Sequence, residues 1–492
     1  MGYYFLSIGG SGAKVMESLT HLCAAGLLPN RERQEKLYIM TIDPDVGNGN
    51  LKRSSAALNN LCVFQRFATG RNTPLLKTEV ITAEPFIWNP VEHDKKLDDV
   101  MAYMSYKDTP IGSLYETLYT QKERNTFLNE GFRGHPSIGA AVMAKKIVLN
   151  DTEFVSDDNE PWGTFEKMVR ADAKNGETAR IFIAGSVFGG TGAAGLPTIS
   201  QLLHNRFKEL CDEGKVIIGG ALILPYFSFT KPAEYEGELA AKAENFLTNT
   251  QAALKYYSLN KEKHYDAMYL IGDDLRAEVK DFSVGASSQN NDAHIVDFYG
   301  AMAAIDFYSK SKDQLNSCSY ISRNNENCYD WSGFPDIVMD GKNVRVKDLF
   351  AQFIRFIFAY AHIVKPVLHD LASGKIDNYI YPWYVDYLEG LDLDTNEIKN
   401  FEEYVESFVR WLGQIGANGT QREVKMVYPD AFSFSPAAIV PEKFANCICE
   451  EDTDITVHEL WYRLSENTGR NEENTEGFGR FLRKLYDCCA KK

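Results

Sequence analysis

Short apolar runs alternate along the chain with amphipathic stretches, a pattern that predicts strands and helices in turn. Tyr3–Ile8 is apolar almost throughout and passes directly into a stretch with helical spacing that runs to about Ala25. Leu37–Ile42, Arg180–Ala184, Val216–Leu224 and Ala267–Ile271 are further runs of strand length with no polar face, as expected of strands covered on both sides in a parallel sheet. Helical periodicity predicts Ala140–Leu149, a helix after Gly192, Leu239–Tyr257, Asp292–Tyr308 and Leu349–Val364. Strands separated by helices imply an α/β fold: a Rossmann-like parallel sheet with helices on both faces. Lys52–Glu130 has mixed polarity and only short helical pieces such as Pro110–Thr120, and reads as an insertion; Thr230–Gly237 and Ser309–Ser332 read the same way. Beyond Lys365 the pattern predicts an aromatic-rich stretch over Tyr379–Leu391, helices over Asn400–Gly413, Val457–Leu464 and Phe478–Cys489, and a short strand at Val424–Tyr428.

Three glycine loops interrupt this pattern. Gly9-Gly10-Ser11-Gly12 follows the first strand, Gly131-Phe132-Arg133-Gly134-His135-Pro136-Ser137-Ile138-Gly139 precedes a helix, and Ser186-Val187-Phe188-Gly189-Gly190-Thr191-Gly192 joins a strand to a helix. Glycines there let the backbone turn tightly and bring bare N–H groups to an anion, at which the next helix also aims its positive end. A tight turn holding nothing has the same composition. No Gly-Lys-Ser/Thr follows, and the Gly-x-Gly-x-x-Gly spacing is absent, so neither a Walker A loop nor a dinucleotide fingerprint is present. Lys14, just inside the first helix, is placed to supply charge to a phosphate or to sit solvated on an exposed turn. Asp43-Pro44-Asp45 closes the second strand at the carboxyl edge where doubly wound sheets bind ligands, so Asp43 is a candidate for metal or ribose contact or for a helix cap.

The run Gly189-Gly190-Thr191-Gly192 resembles the signature loop of the tubulin and FtsZ superfamily, Gly-Gly-Gly-Thr-Gly-Ser-Gly in tubulins and Gly-Gly-Thr-Gly-Thr-Gly in FtsZ. Phe188 stands in the place of the first glycine and Ala194 in that of the last. The Gly131–Gly139 loop is similar to FtsZ's Gly-Ala-Gly-Ala-Asn-Pro-Glu-Ile-Gly, and Pro225-Tyr226-Phe227-Ser228-Phe229 to its Lys-Pro-Phe-Ser-Phe. Asn343 and Asp348 match the family's Asn-x-Asp-x-x-Asp loop, with Arg345 replacing the first acid. The matches fall in family order over Gly2–Leu368.

The resemblance implies a nucleotide-binding domain over 1–308 with a central helix, a connecting segment over 309–368 and a divergent, mixed or mainly helical C-terminal domain over 369–492. It implies GTP or GDP as ligand, with Mg²⁺ held mainly by phosphates and water. Phosphate contacts would come from Gly9, Gly10, Ser11, Gly12, Lys14, Gly134, His135, Ser186, Gly189, Gly190, Thr191 and Gly192, with Asp43 on a loop beside the magnesium and phosphates. The ribose would meet Glu234, Glu236 or Glu238, of which Glu238 is nearest a helix start. Asn291 and Asp292 would read guanine, unless they cap the central helix. Asn343 and Asp348 would act on the nucleotide of the next subunit in a head-to-tail filament, making the chain a GTPase only when assembled. Taken without the family, Asp348 is an ordinary acid at a helix N-terminus. The alternative is a non-polymerising module that holds nucleotide as a scaffold or sensor; a dinucleotide enzyme fits less well, because the first loop lacks its third glycine.

Composition narrows the partners. The 492 residues carry 68 Asp plus Glu against 52 Lys plus Arg, a net charge of −16, which argues against direct nucleic acid binding and leaves self and an unidentified protein partner of the C-terminal domain. Nine cysteines without a Cys-x-x-Cys, and nothing like a signal peptide before Tyr3, suit a cytoplasmic protein. Val216–Phe227 is too short to span a membrane, and Gln352–Leu368 is broken by Arg355 and Lys365. The spacings of Cys447, Cys449, His458, Cys488 and Cys489 fit no zinc finger or ribbon and predict buried thiols.

Overall fold

In the computed structural model, six parallel strands form the central sheet: β1 (Gly2–Ile8), β2 (Lys36–Ile42), β3 (Glu79–Trp88), β4 (Ala179–Ser186), β5 (Val216–Ile223) and an outermost strand Ala267–Ile271. The structure describes residues 2–29, 35–68, 74–91, 94–132, 134–149, 160–228, 245–260, 265–274, 277–278, 289–315, 327–339, 341–417, 422–428, 447–449, 455–466 and 477–491. The spatial order is β3-β2-β1-β4-β5 and then Ala267–Ile271. Alternation within the apolar runs divides them between two cores. Tyr3 and Phe5 of β1 join Leu37 and Ile39 of β2 on one face, and Tyr4, Leu6 and Ile8 join Tyr38, Met40 and Ile42 on the other. The first face is covered by α1 (Gly9–Ala24), α2 (Gly49–Ala68) and the central helix Ile295–Ser309. Helices Pro136–Leu149, Trp162–Lys174 and Thr191–Arg206 cover the second. Both faces are therefore dry, which is why these strands read as unbroken hydrophobic runs.

From β1 the chain winds outward to β2 and β3, then returns to lay β4 on the other side of β1. That reversal opens a crevice between the carboxyl ends of β1 and β4, the position at which doubly wound sheets bind ligands.

Several elements differ from expectation. Lys52–Glu130 is not an insertion, because it carries most of α2 and the whole of β3, whose residues pair in parallel with β2. The strand was obscured by Pro85 in its middle, by its half-exposed edge position and by a register shift opposite Ile39 and Thr41. The central helix begins at Ile295 rather than Asp292, since His294 caps it: the Val296 N–H donates to His294 Nδ1 at 3.1 Å, and the His294 N–H donates to Asp297 at 2.9 Å. The helix expected over Leu239–Tyr257 is described from Phe246 to Asn260. Glu234, Glu236 and Glu238 and most of Phe282–Asn291 lie outside the described residues.

The described residues of 369–492 share a core with the sheet's first face. Helix Asn396–Ala417 lies along α2, Trp411 Nε1 donates to Ser18 Oγ at 3.1 Å, and Tyr404 hydroxyl is hydrogen-bonded to His21 Nδ1 at 3.2 Å. Helix Gly477–Cys488 meets α2 so closely that a Cβ on Gly479 would collide with the Phe67 carbonyl oxygen. Phe401, Phe408, Trp411, Phe481 and Tyr486 share one hydrophobic cluster with α1, α2 and the central helix. The C-terminal region is mainly helical and forms an outer layer over the first face of the sheet. Cys447, Cys449, Cys488 and Cys489 are buried within it. Among the described residues, no helix is long and apolar enough to cross a membrane.

Candidate functional site

The crevice at the switch point is a cleft walled by the three glycine loops. Gly9, Gly10 and Ser11 come from the start of α1, Ser186 from the end of β4, Phe188 to Gly192 from the turn after it and the helix start, and Glu130 to Phe132 with Gly134 from the loop ahead of Pro136. The first loop works because Gly9 takes a positive φ of 69°, turning the chain from β1 directly into α1. Gly12 lies beneath it and does not line the cleft; a Cβ there would sit 2.6 Å from the Ala184 carbonyl, so it lets α1 rest on β4. Gly192 plays the same part for Thr191–Arg206, its missing side chain leaving room for Ser186 O at 2.5 Å.

Two helix N-termini thus converge on one space, and neither first turn carries an acid. Their unpaired N–H groups and aligned dipoles favour an anion. Hydroxyls of Ser11, Ser186 and Thr191 border the same space. Phe188, in the place of a glycine, turns into an aromatic wall, its ring 4.6 Å from that of Phe246 and 5.6 Å from that of Phe227. Ala194 and Gly195 pack elsewhere: Ala194 lies against Gly139 of helix Pro136–Leu149 and Gly195 against Ile8, so the departures there touch helix packing and leave the cleft alone.

Lys14 reaches the cleft wall but is neither solvated nor free. It is 4 % exposed, its Nζ lies 2.9 Å from Asp297 Oδ2, and it donates to Tyr226 hydroxyl at 3.0 Å. Tyr226 in turn donates to Asp297 Oδ1 at 2.9 Å, closing a triangle that spends the lysine's charge inside the protein. Burial, with Lys14 acting the same way, lowers the pKa of the adjacent His294 to about 4, so it caps the central helix as neutral imidazole.

Asp43 and Asp45 line the cleft at the end of β2, both buried. Burial pushes the Asp43 carboxyl up to about 8, the charge of Asp45 adds to this, and a hydrogen bond from the Asp45 N–H at 3.0 Å opposes it. A carboxyl raised above its ordinary 3.8 contributes stability that is complete below that value and is lost as pH rises through about 8. Asp43→Asn is therefore expected to gain on the parent between those limits, by several kcal/mol at the alkaline end. Urea unfolding of both nucleotide-free proteins at pH 5 and pH 8 checks this; a difference between parent and variant that is the same at both pH values would mean that the Asp43 carboxyl titrates in the folded chain as it does in the unfolded one.

The remaining expected residues are dispersed. Gly134 lines the cleft, whereas His135 lies outside the lining, its Nδ1 3.1 Å from Glu123 Oε1. Asn291 borders the cleft with its backbone held, the N–H by Asn50 and the carbonyl by Arg53. Asp292 is exposed, off the cleft, and accepts from Gln414 Nε2 at 2.6 Å. Asn343 lies in the short strand Lys342–Val344, and Asp348 at the start of helix Val346–Ala359; neither lines the cleft. Both Asp348 oxygens accept from Arg345, at 2.9 and 3.0 Å, on an exposed surface. Asn48, Asn50, Glu130, Tyr226 and Gln289 line the cleft without having been expected there. The run Asn48-Gly49-Asn50, three residues beyond Asp45, was the available signal for the two asparagines.

No family model matches the chain, and no curated protein matches it. Among solved structures it is similar to CetZ from Methanosaeta thermophila strain DSM 6194, at 14% identity and a TM-score of 0.23, over 55% of this chain and 45% of that one. The match spans less than half the length of that protein, so the functional reading rests on the geometry of the cleft.

Proposed function

We propose that the chain binds a guanine nucleotide in the switch-point cleft and assembles head-to-tail, with hydrolysis at the junction between subunits. The observation that carries the nucleotide reading is the convergence of two acid-free helix N-termini and three glycine loops on one crevice. Asp43 and Asp45 offer hard oxygen donors beside it, a set that suits Mg²⁺, which would neutralise phosphate charge there. The choice of guanine follows the resemblance of the loops, with Asn291 as the base-facing candidate still on the cleft. Competition between GTP and ATP for a fluorescent GTP analogue tests it; equal affinities would remove the guanine assignment and leave the phosphate loops standing.

Assembly is supported by where Asn343 and Asp348 lie. Both are exposed and off the cleft, and in an open, heterologous arrangement they would meet a nucleotide held by another copy. Asp348→Ala is expected to bind GTP as the parent does while turnover falls by about 10²–10⁴-fold, the usual contribution of a positioned water-orienting group. Its melting temperature should hardly move, because exposed ion pairs contribute only ~0–1 kcal/mol. Phosphate release from parent and variant across protein concentrations is the measurement. The second reading, a nucleotide-holding module without hydrolysis, is favoured by the pairing of Asp348 with Arg345, which occupies both carboxylate oxygens. Specific activity that stays flat with concentration would support that reading. In either case the process is cytoplasmic, and residues 369–492, with exposed Ile380, Val385 and Tyr462, are the surface for a protein partner.

A further inference from the structure

We infer that the side-chain amide of Asn50 is a phosphate ligand of this cleft, donating from the loop after β2 into the space above the first turn of α1. The inference rests on the nucleotide reading and names a contact which that reading lacks. Asn50 is 2 % exposed, yet it lines the cleft. Its Oδ1 accepts from the Asn291 N–H at 2.8 Å, and since a backbone amide only donates, the oxygen must take that side and Nδ2 the other. Nδ2 then stands 3.4 Å from the position a Cβ would take on Gly10. No acceptor among the described residues pairs with it. Because Asn50 lines the cleft, this donor faces solvent there, and an oxyanion entering the cleft would exchange a water for a stronger, charge-assisted hydrogen bond.

Asn48 shows that the space selects donors. Its Oδ1 accepts from the N–H groups of Asn50 at 2.9 Å and Leu51 at 3.3 Å, which turns its Nδ2 toward Gln289 Oε1 at 2.8 Å and to within 3.3 Å of the same Gly10 position. Two amide nitrogens and the first N–H groups of α1 therefore face one volume. An oxyanion accepts from all of them, whereas a cation is repelled. Asp43 and Asp45, on the same loop, are acceptors and remain the place for the divalent cation that accompanies a diphosphate.

The test is isothermal titration of the full chain with pyrophosphate, GDP and guanosine, for the parent and Asn50→Asp. Aspartate keeps an oxygen for the Asn291 N–H and replaces the donor with a second, charged acceptor. Pyrophosphate and GDP affinities should each fall by at least ~10-fold, as for a lost hydrogen bond to a charged group, with guanosine within ~2-fold. Asn50→Ser, neutral and shorter, should lose about 3- to 10-fold on pyrophosphate and serves if the aspartate variant melts early. Unchanged pyrophosphate binding in both variants would overturn the assignment, and so would an equal loss for guanosine, which would place Asn50 on the base. A parent that binds pyrophosphate but not GDP would sink the guanine nucleotide reading and leave Asn50 to be judged on pyrophosphate alone. A parent that binds neither overturns both.

Discussion

Valine in place of Gly190 is expected to lower GTP affinity by at least ~10-fold, a loss of about 1.4 kcal/mol or more. A Cβ at this position would lie 2.9 Å from the Gly134 amide nitrogen and 3.1 Å from the Phe132 carbonyl carbon. Both neighbours are backbone, so the side chain must push the second glycine loop away from the one after β4 and separate two walls of the cleft. Gly189→Ala is the comparison, because its Cβ would meet only Ser186 Oγ, at 3.0 Å, a side chain that can rotate. Binding of a fluorescent GTP analogue by both variants decides the matter. Parent-like affinity in Gly190→Val would show that the phosphates do not lie between these loops.

The other large effect concerns the C-terminal layer. A chain ending at residue 395 is expected not to fold, because α1 and α2 would expose the apolar surface now covered by Asn396–Ala417 and Gly477–Cys488. The point version is Trp411→Ala. Trp411 is fully buried, stacks with Phe298 of the central helix at 6.0 Å between ring centres, and holds Ser18. Large-to-small changes of this kind cost ~3–5 kcal/mol. Near-ultraviolet circular dichroism and urea titration measure both. A shortened chain that unfolds cooperatively with the parent's midpoint would show that residues 1–395 are self-sufficient.

The interior of the sheet was readable because strands with two dry faces leave an uninterrupted apolar run, as in Val216–Ile223, where all eight residues are buried. The edge strand β3 was not, since one side faces water and Pro85 removes a donor that an interior strand would need. Glycine loops were readable for a similar reason: the close approach of Gly192 to Ser186 and the positive φ of Gly9 tolerate little else. What the sequence hid were contacts between distant residues. Lys14 was placed near the phosphates, but the Asp297 that holds its charge lies 283 positions away (297 minus 14) and nothing local announces it. Asn48 and Asn50 look like turn residues until Gln289 and Asn291 are brought beside them. The same holds for the C-terminal helices, whose amphipathic pattern shows that they have a buried face without showing what covers it.

The shared core has a consequence for how the protein is made. Synthesis runs from the first residue to the last, and early segments usually fold as they emerge. Here the loops of the cleft are complete by about residue 292, while the outer faces of α1 and α2 wait for helices that begin at Asn396 and Gly477. A nascent chain therefore carries the six strands of the sheet with its greasy flank not fully covered for some 185 residues of translation, until the helix that begins at Gly477 (477 minus 292). A ribosome stalled in that interval would hold a species prone to stick to its neighbours, and chaperone binding should peak there and cease once residues 477–488 are released.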